Sequence, residues 1–206
     1  ELAFALRAQV PGANIALHGN NKSEAEIARA IRNGLGRVVA DSVDELKLIE
    51  CVYAELAAER VAEGEEPYAP VPVLIRITPG VHASTHESIA TAHEDQKFGM
   101  SLQPGTAALA GLDEEELEHW GVESTDSYAA LAAAILNATD SLDFRGIHCH
   151  IGSQIFEAEG FEQAATTALE FMNRLNRDLG VTLPELDLGG GYGIGYTEAD
   201  HPRSIT

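Results

Sequence analysis

Cations are scarce in this chain. Thirteen lysines and arginines stand against 33 aspartates and glutamates, a formal charge of −20. That balance makes nucleic acid or an anionic membrane surface a poor partner, because phosphate recognition relies on clustered basic groups. Long apolar runs are missing as well; none reaches the ~18 residues of a membrane span. The opening ELAFALRAQV has no basic n-region and no cleavage site, so it does not read as a signal peptide. Cysteine is nearly absent: Cys51 and Cys149 are far apart, with no CxxC spacing. They are expected to be reduced thiols of a cytoplasmic protein. Internal repeats and low-complexity segments are absent too.

What is present is an alternation. The 206 residues, 45% of them hydrophobic, suffice for one sizeable core. Short β-like runs at 14–19, 37–42, 72–78, 145–151 and 184–190 alternate with amphipathic stretches at 23–33, 43–63, 126–139 and 159–179, the pattern of a parallel α/β structure. Ser23, Ser42 and Thr125 are placed to cap helices, and Gly34 and Gly180 to stop them. The stretch 79–125 interrupts the rhythm as a long connection, and its acidic DEEELEHW reads as a solvated helix face. ELAFALRAQV reads as a helix already under way, with Leu2, Ala5, Leu6 and Val10 on one stripe, and HPRSIT stops in a loop. A piece of a longer chain is therefore expected.

The strand ends carry a second signal. Side chains alternate faces along a strand, so Val73, Ile75 and Ile77 share one face while Leu74, Arg76 and Thr78 share the other. His18, Asp41, the pair His148 and His150, and Asp187 each fall at or near the end of a strand. Polar groups delivered at equivalent ends fit a barrel with its site at the C-terminal mouth; an open doubly wound sheet could do the same at its crevice. The expected fold is α/β, an incomplete (β/α)8 TIM-type barrel with about five of the parallel strands and their helices, residues 1–206 forming one partial barrel domain.

Three stretches carry candidate chemistry. GGGYGIG (189–195) does not match GxGxxG; a flexible turn or an anion-cradling loop remains. HCHIGSQ (148–154) admits a zinc site completed by Asp187, His18 or the group His82, His86 and His93. It equally admits two core histidines, or one imidazole flat against an aromatic cofactor ring with Gly152 and Ser153 near its phosphate. Arg76, on an inward strand face, needs a carboxylate such as Asp41 or Asp187, or an anionic ligand. The loop Asn20, Asn21, Lys22 is explained by helix capping.

Together, LHGNNKSEAEI, VLIRITPGVHASTHESIATAHEDQKFGMS, GIHCHIGSQI and LDLGGGYGIGY resemble the diaminopimelate decarboxylase family in order and approximate spacing. Those are pyridoxal-phosphate enzymes of the alanine racemase-like barrel type; ornithine and arginine decarboxylases share the His-x-Gly-Ser and triple-glycine elements. The resemblance implies decarboxylation of meso-2,6-diaminopimelate to L-lysine, with pyridoxal 5′-phosphate as cofactor, an amino-acid substrate, and a homodimer in the full-length protein. It implies that His150 stacks on the pyridine ring and that Ser153 and the backbone of Gly189, Gly190 and Gly191 bind the phosphate. Arg76 would lie near the phenolic oxygen and Schiff-base region. Glu1 matches a glutamate beside the cofactor, while His148 and Lys97 fall in matched motifs without an assigned role. The family's Schiff-base lysine and Glu-Pro-Gly-Arg element are expected outside residues 1–206, so the isolated chain is expected to be inactive. An ornithine- or arginine-type decarboxylase and a zinc-dependent hydrolase barrel are the alternatives; no metal ligands are assigned.

Overall fold

The structure, a computed structural model, describes residues 1–80, 98–198, 200 and 202. Lys97 and the histidines 82, 86 and 93 lie outside the described residues, as does most of the stretch from 80 to 99 that carried part of the resemblance.

Several helices start where a side chain can take up free amides. At α2 (Glu24–Arg32) Ser23 accepts from the Glu26 amide and Glu26 accepts from the Ser23 amide, closing a capping box. At α3 (Val43–Ala62) the Ser42 hydroxyl accepts from the Glu45 amide. The third expected cap is corrected. Ser127, not Thr125, accepts from Ala130 and starts α5 (Tyr128–Ala138). Thr125 is held in a turn closed from Asp126 to Glu123, and its carbonyl accepts from Gly105. Gly34 and Gly180 follow α2 and α6 (Glu159–Asp178) with left-handed φ of 56° and 67°, the stops expected of them. The N-terminal helix α1 (Leu2–Arg7) buries no residue fully.

Six strands form one parallel sheet: β1 (Ala16–Leu17), β2 (Arg37–Ala40), β3 (Val71–Thr78), β4 (Met100–Ser101), β5 (Leu142–Cys149) and β6 (Glu185–Asp187). β1 and β6 are shorter than the runs 14–19 and 184–190, because residues 12–14 form a 3-10 turn and the chain leaves the sheet after Asp187. The spatial order is β1-β2-β3-β5-β6. Ile77 pairs with both Met100 and Cys149, so β4 lies on the β2 side of β3, beyond the end of β2. A doubly wound sheet reverses its order at a switch point; this one never reverses, which is the winding of a barrel.

The sheet is rolled. Arg37 of β2 and Glu185 of β6 are three strand spacings apart, about 14 Å in a flat sheet, yet the guanidinium bonds the carboxylate. Arg145 of β5 donates to the same carboxylate at 3.1 Å. These three groups form a polar floor on the inner face. On the outer face Val38, Val73, Ile75 and Ile77 join the helices in one core, with α5 burying every residue from Leu131 to Leu136. Leu74 and Val39 are buried but stand outside that cluster, as inward residues should. Gly146 is required by close approach: a Cβ there would meet the Glu185 carbonyl at 1.9 Å.

Between β3 and α5 the described residues form β4, a 3-10 turn at Ala107–Ala110 and α4 (Glu114–His119), capped by Asp113. The glutamates of α4 are exposed and Leu117 is buried, the solvated acidic face expected.

Candidate active site

Parallel strands with polar C-terminal ends bring those ends to one mouth. A cavity of about 400 Å³ opens there, lined by His18, Arg76, His148, His150, Asp187, Gly189 and Gly190. His18 directly follows β1, Arg76 lies near the end of β3, and His148 and Asp187 are register partners on β5 and β6. Glu1 stands at the N-cap position of α1 without a side-chain cap bond, is exposed, and is not part of this lining.

Arg76 faces the cavity while its Nη1 stands 3.6 Å from Asp41 Oδ1. Asp41, not Asp187, is its carboxylate partner. The guanidinium also lies over the Phe98 ring, 4.9 Å from its centroid. Behind it, Asp41 Oδ2 accepts from the Gly99 amide at 3.1 Å, and the Asp41 amide donates to Glu45. Glu45 pairs with Lys22, whose Nζ also donates to the carbonyls of Gly19 and Val39 at 2.6 Å each. Burial pushes both the Asp41 and Glu45 carboxyls up; bonds from Gly99 and Lys22 and the nearby cations oppose it.

The imidazoles are held neutral. His148 is 3% exposed and its Nδ1 has no hydrogen-bond partner among the described residues. Burial lowers its pKa to about 4, against the opposing charge of Asp187. Burial, then Arg76 and His18, lowers His150 also. The His18 and His148 rings meet edge to face at 4.9 Å. Cys149 points to the outer core, and burial pushes its thiol up to about 12.

Donor atoms of His18, His148 and Asp187 lie within 4.8 Å of one another. The zinc reading relied on both imidazoles of the His-x-His pair. Among the described residues this cluster takes His148 alone, while His150 stands against the glycine loop.

That loop is built by contact. Cβ atoms added at Gly189 and Gly191 would meet the Cys149 carbonyl and His150 Nδ1 at 2.8 Å, and the Gly152 carbonyl at 1.8 Å, respectively. Ile155 donates to the Gly191 carbonyl and accepts from Gly193, lacing the segments after β5 and β6 together. A Cβ at Gly190 would meet nothing within 4 Å among the described residues. The Gly189 amide donates to Asp187 Oδ1 at 2.7 Å, whereas no hydrogen bond among the described residues uses the amides of Gly190 and Gly191. Ser153 is exposed beside Gly191; neither lines the cavity.

Sequence reasoning missed Phe98 and the Lys22–Glu45 pair. Glu45 stands three residues after Ser42, where a capping box explains it without burial.

The family model described as pyridoxal-dependent decarboxylase, pyridoxal binding domain, matches residues 1–124 and 114–206. Among curated proteins the chain is 45% identical over 205 residues to the diaminopimelate decarboxylase of Corynebacterium efficiens, covering 100% of this chain and 38% of that protein. Diaminopimelate decarboxylase of Helicobacter pylori complexed with L-lysine superposes with a TM-score of 0.74 at 25% identity, over 98% of this chain and 42% of that one. For diaminopimelate decarboxylase from M. jannaschii in co-complex with L-lysine, the values are 0.72 and 26%, over 97% and 38%. The chain thus spans about two fifths of the length of the relatives it matches.

Proposed function

Since the chain belongs to the pyridoxal-dependent decarboxylases, through their pyridoxal binding domain, we propose that it forms the cofactor-binding barrel of an enzyme converting meso-2,6-diaminopimelate to L-lysine. The observation that carries the site reading is the meeting of His150, Arg76 and the glycine loop at one cavity. The names of the relatives, two of them with L-lysine, support the substrate.

The residues present fit pyridoxal phosphate. About 400 Å³ is within the range of small-molecule pockets, and the amides of Gly190, beside open space, and of the adjoining Gly191, neither used by a hydrogen bond among the described residues, suit a phosphate. When bound, that cofactor supplies the electron sink for loss of carbon dioxide. His150, a neutral imidazole, would pack against its ring. Gly190 and Gly191 would donate to its phosphate, Gly189 would contribute the bend that aims them, and Ser153 would add a hydroxyl at the loop. Arg76 sets a fixed positive charge at the cavity wall, where it orients an anionic group and disfavours a nearby proton. The full-length protein is read as a cytoplasmic homodimer on the resemblance, with residues 79–125 a connection within the barrel domain.

The full-length protein carrying this chain tests the proposal. Visible absorption of bound cofactor and carbon dioxide release from meso-diaminopimelate, but not from ornithine or arginine, are expected. Release from ornithine alone would replace the substrate. The His18, His148, Asp187 cluster keeps a zinc-dependent hydrolase as the second reading; a metal-dependent hydrolytic activity lost with chelator, and no visible band, would favour it.

A further inference from the structure

Five segments meet around Arg76: the loop after β1, the end of β2, the start of α3, the end of β3, and Phe98–Gly99. Their meeting point is Asp41. We infer that Asp41 is a positioning residue, holding the Arg76 guanidinium at the cavity wall with one carboxylate oxygen and anchoring the Phe98–Gly99 segment with the other. This rests on the cavity being the pyridoxal phosphate site.

The two oxygens have different tasks. Oδ2 accepts from the Gly99 amide at 3.1 Å, fixing the segment whose Phe98 ring underlies Arg76. Thr78 fixes that segment a second time, donating to the Phe98 carbonyl at 2.9 Å. Oδ1 is buried, has no hydrogen bond among the described residues, and stands 3.6 Å from Arg76 Nη1. At that distance charge attraction acts, but the guanidinium's donors are not consumed. Arg76 is thereby steered from behind and stacked from one face, with its N–H groups left for an anion in the cavity.

Asp41 is itself fixed. Its amide donates to Glu45, and Glu45 is paired to Lys22, whose side chain is 2% exposed and tied to the Gly19 and Val39 carbonyls. A buried pair of this kind adds little net stability over a packed apolar pair. Its specific effect here is to join three segments so that the Asp41 backbone has one place to be. The charged and titratable groups facing Arg76 are Asp41 behind it and His18, His148, His150 and Asp187 around the cavity. Asp41 therefore supplies the nearby charge that balances the guanidinium from its rear.

The full-length protein reconstituted with pyridoxal phosphate tests this. Asp41→Asn keeps an oxygen for the Gly99 amide but presents Arg76 with a neutral amide. With the cation uncompensated, the pH midpoint of the bound cofactor's visible absorption is expected to fall by about one unit, and kcat about tenfold through misplacement of Arg76. Placed on Arg76→Gln, the same change is expected to add nothing, because Asp41 acts through Arg76. Equal losses in both backgrounds, or a wild-type midpoint in Asp41→Asn, overturn the inference. Should Asp41→Asn not fold, Asp41→Glu keeps the charge while displacing it. Lower kcat with an unmoved midpoint supports positioning, and unchanged kcat overturns it. No visible band in the wild-type protein would overturn the cavity's reading and this inference with it.

Discussion

His148 and Asp187 are register partners on adjoining parallel strands, and the ring of His18 closes on His148 from the far end of the sheet at 4.9 Å. β1 and β6 are four strand spacings apart, about 19 Å if flat, so this cluster exists only because the sheet rolls. The roll buries a titratable ring at the mouth, and that burial has measurable consequences.

The first concerns acid stability. His148 has an ordinary pKa of 6.5 when unfolded and about 4 when folded. The unfolded state therefore takes up the proton first as pH falls. The stability associated with the neutral ring is fully present above pH 6.5 and is lost as pH drops towards 4, by at most about 3 kcal/mol. Urea denaturation at a series of pH values should show this slope in the full-length protein, and His148→Gln should flatten it.

The glycines separate fold from ligand. Gly191→Ala drives a Cβ to 1.8 Å from the Gly152 carbonyl and should cost more than about 2 kcal/mol of stability. Gly190→Ala meets no atom of the described residues within 4 Å. Its melting temperature should stay at the wild-type value while cofactor affinity falls about tenfold, or about 1.4 kcal/mol. Parallel melting curves and cofactor titrations distinguish the two.

Cofactor affinity should also rank two side chains. His150 lines the cavity and Ser153 lies exposed outside it. His150→Ala should weaken binding by about 10- to 100-fold through lost ring packing, and Ser153→Ala by about fivefold through one hydrogen bond. Equilibrium titration of the two variants gives the order directly.

The polar floor should answer to stability alone. Glu185→Gln leaves Arg37 and Arg145 facing each other across a neutral amide. All three side chains keep some solvent access, so the loss should be about 1–2 kcal/mol. Cofactor affinity should not change, because none of these three groups lines the cavity.

Much of this was legible locally. Strand alternation set Val73, Ile75 and Ile77 against Leu74 and Arg76, and serine caps marked α2 and α3. Thr125 and Ser127 are both cap residues, and only the tertiary turn around Thr125 chose between them. Met100–Ser101 is too short to show any period, so β4 carried no signal. The site was legible as polar strand ends, but not as partnerships. That Arg76 turns to Asp41, that His148 meets His18, and that Lys22 is buried against Glu45 all follow from curvature and crossover, which no short stretch encodes.

The two thiols lead different lives. Cys149 is sealed in the core with its thiol pushed up to about 12, whereas Cys51 is exposed on α3. Maleimide or iodoacetamide reagents act on an accessible thiolate, so within this chain they should decorate Cys51 only. A fluorophore there would sit on the outer helical layer, away from the mouth, as a one-point reporter of unfolding.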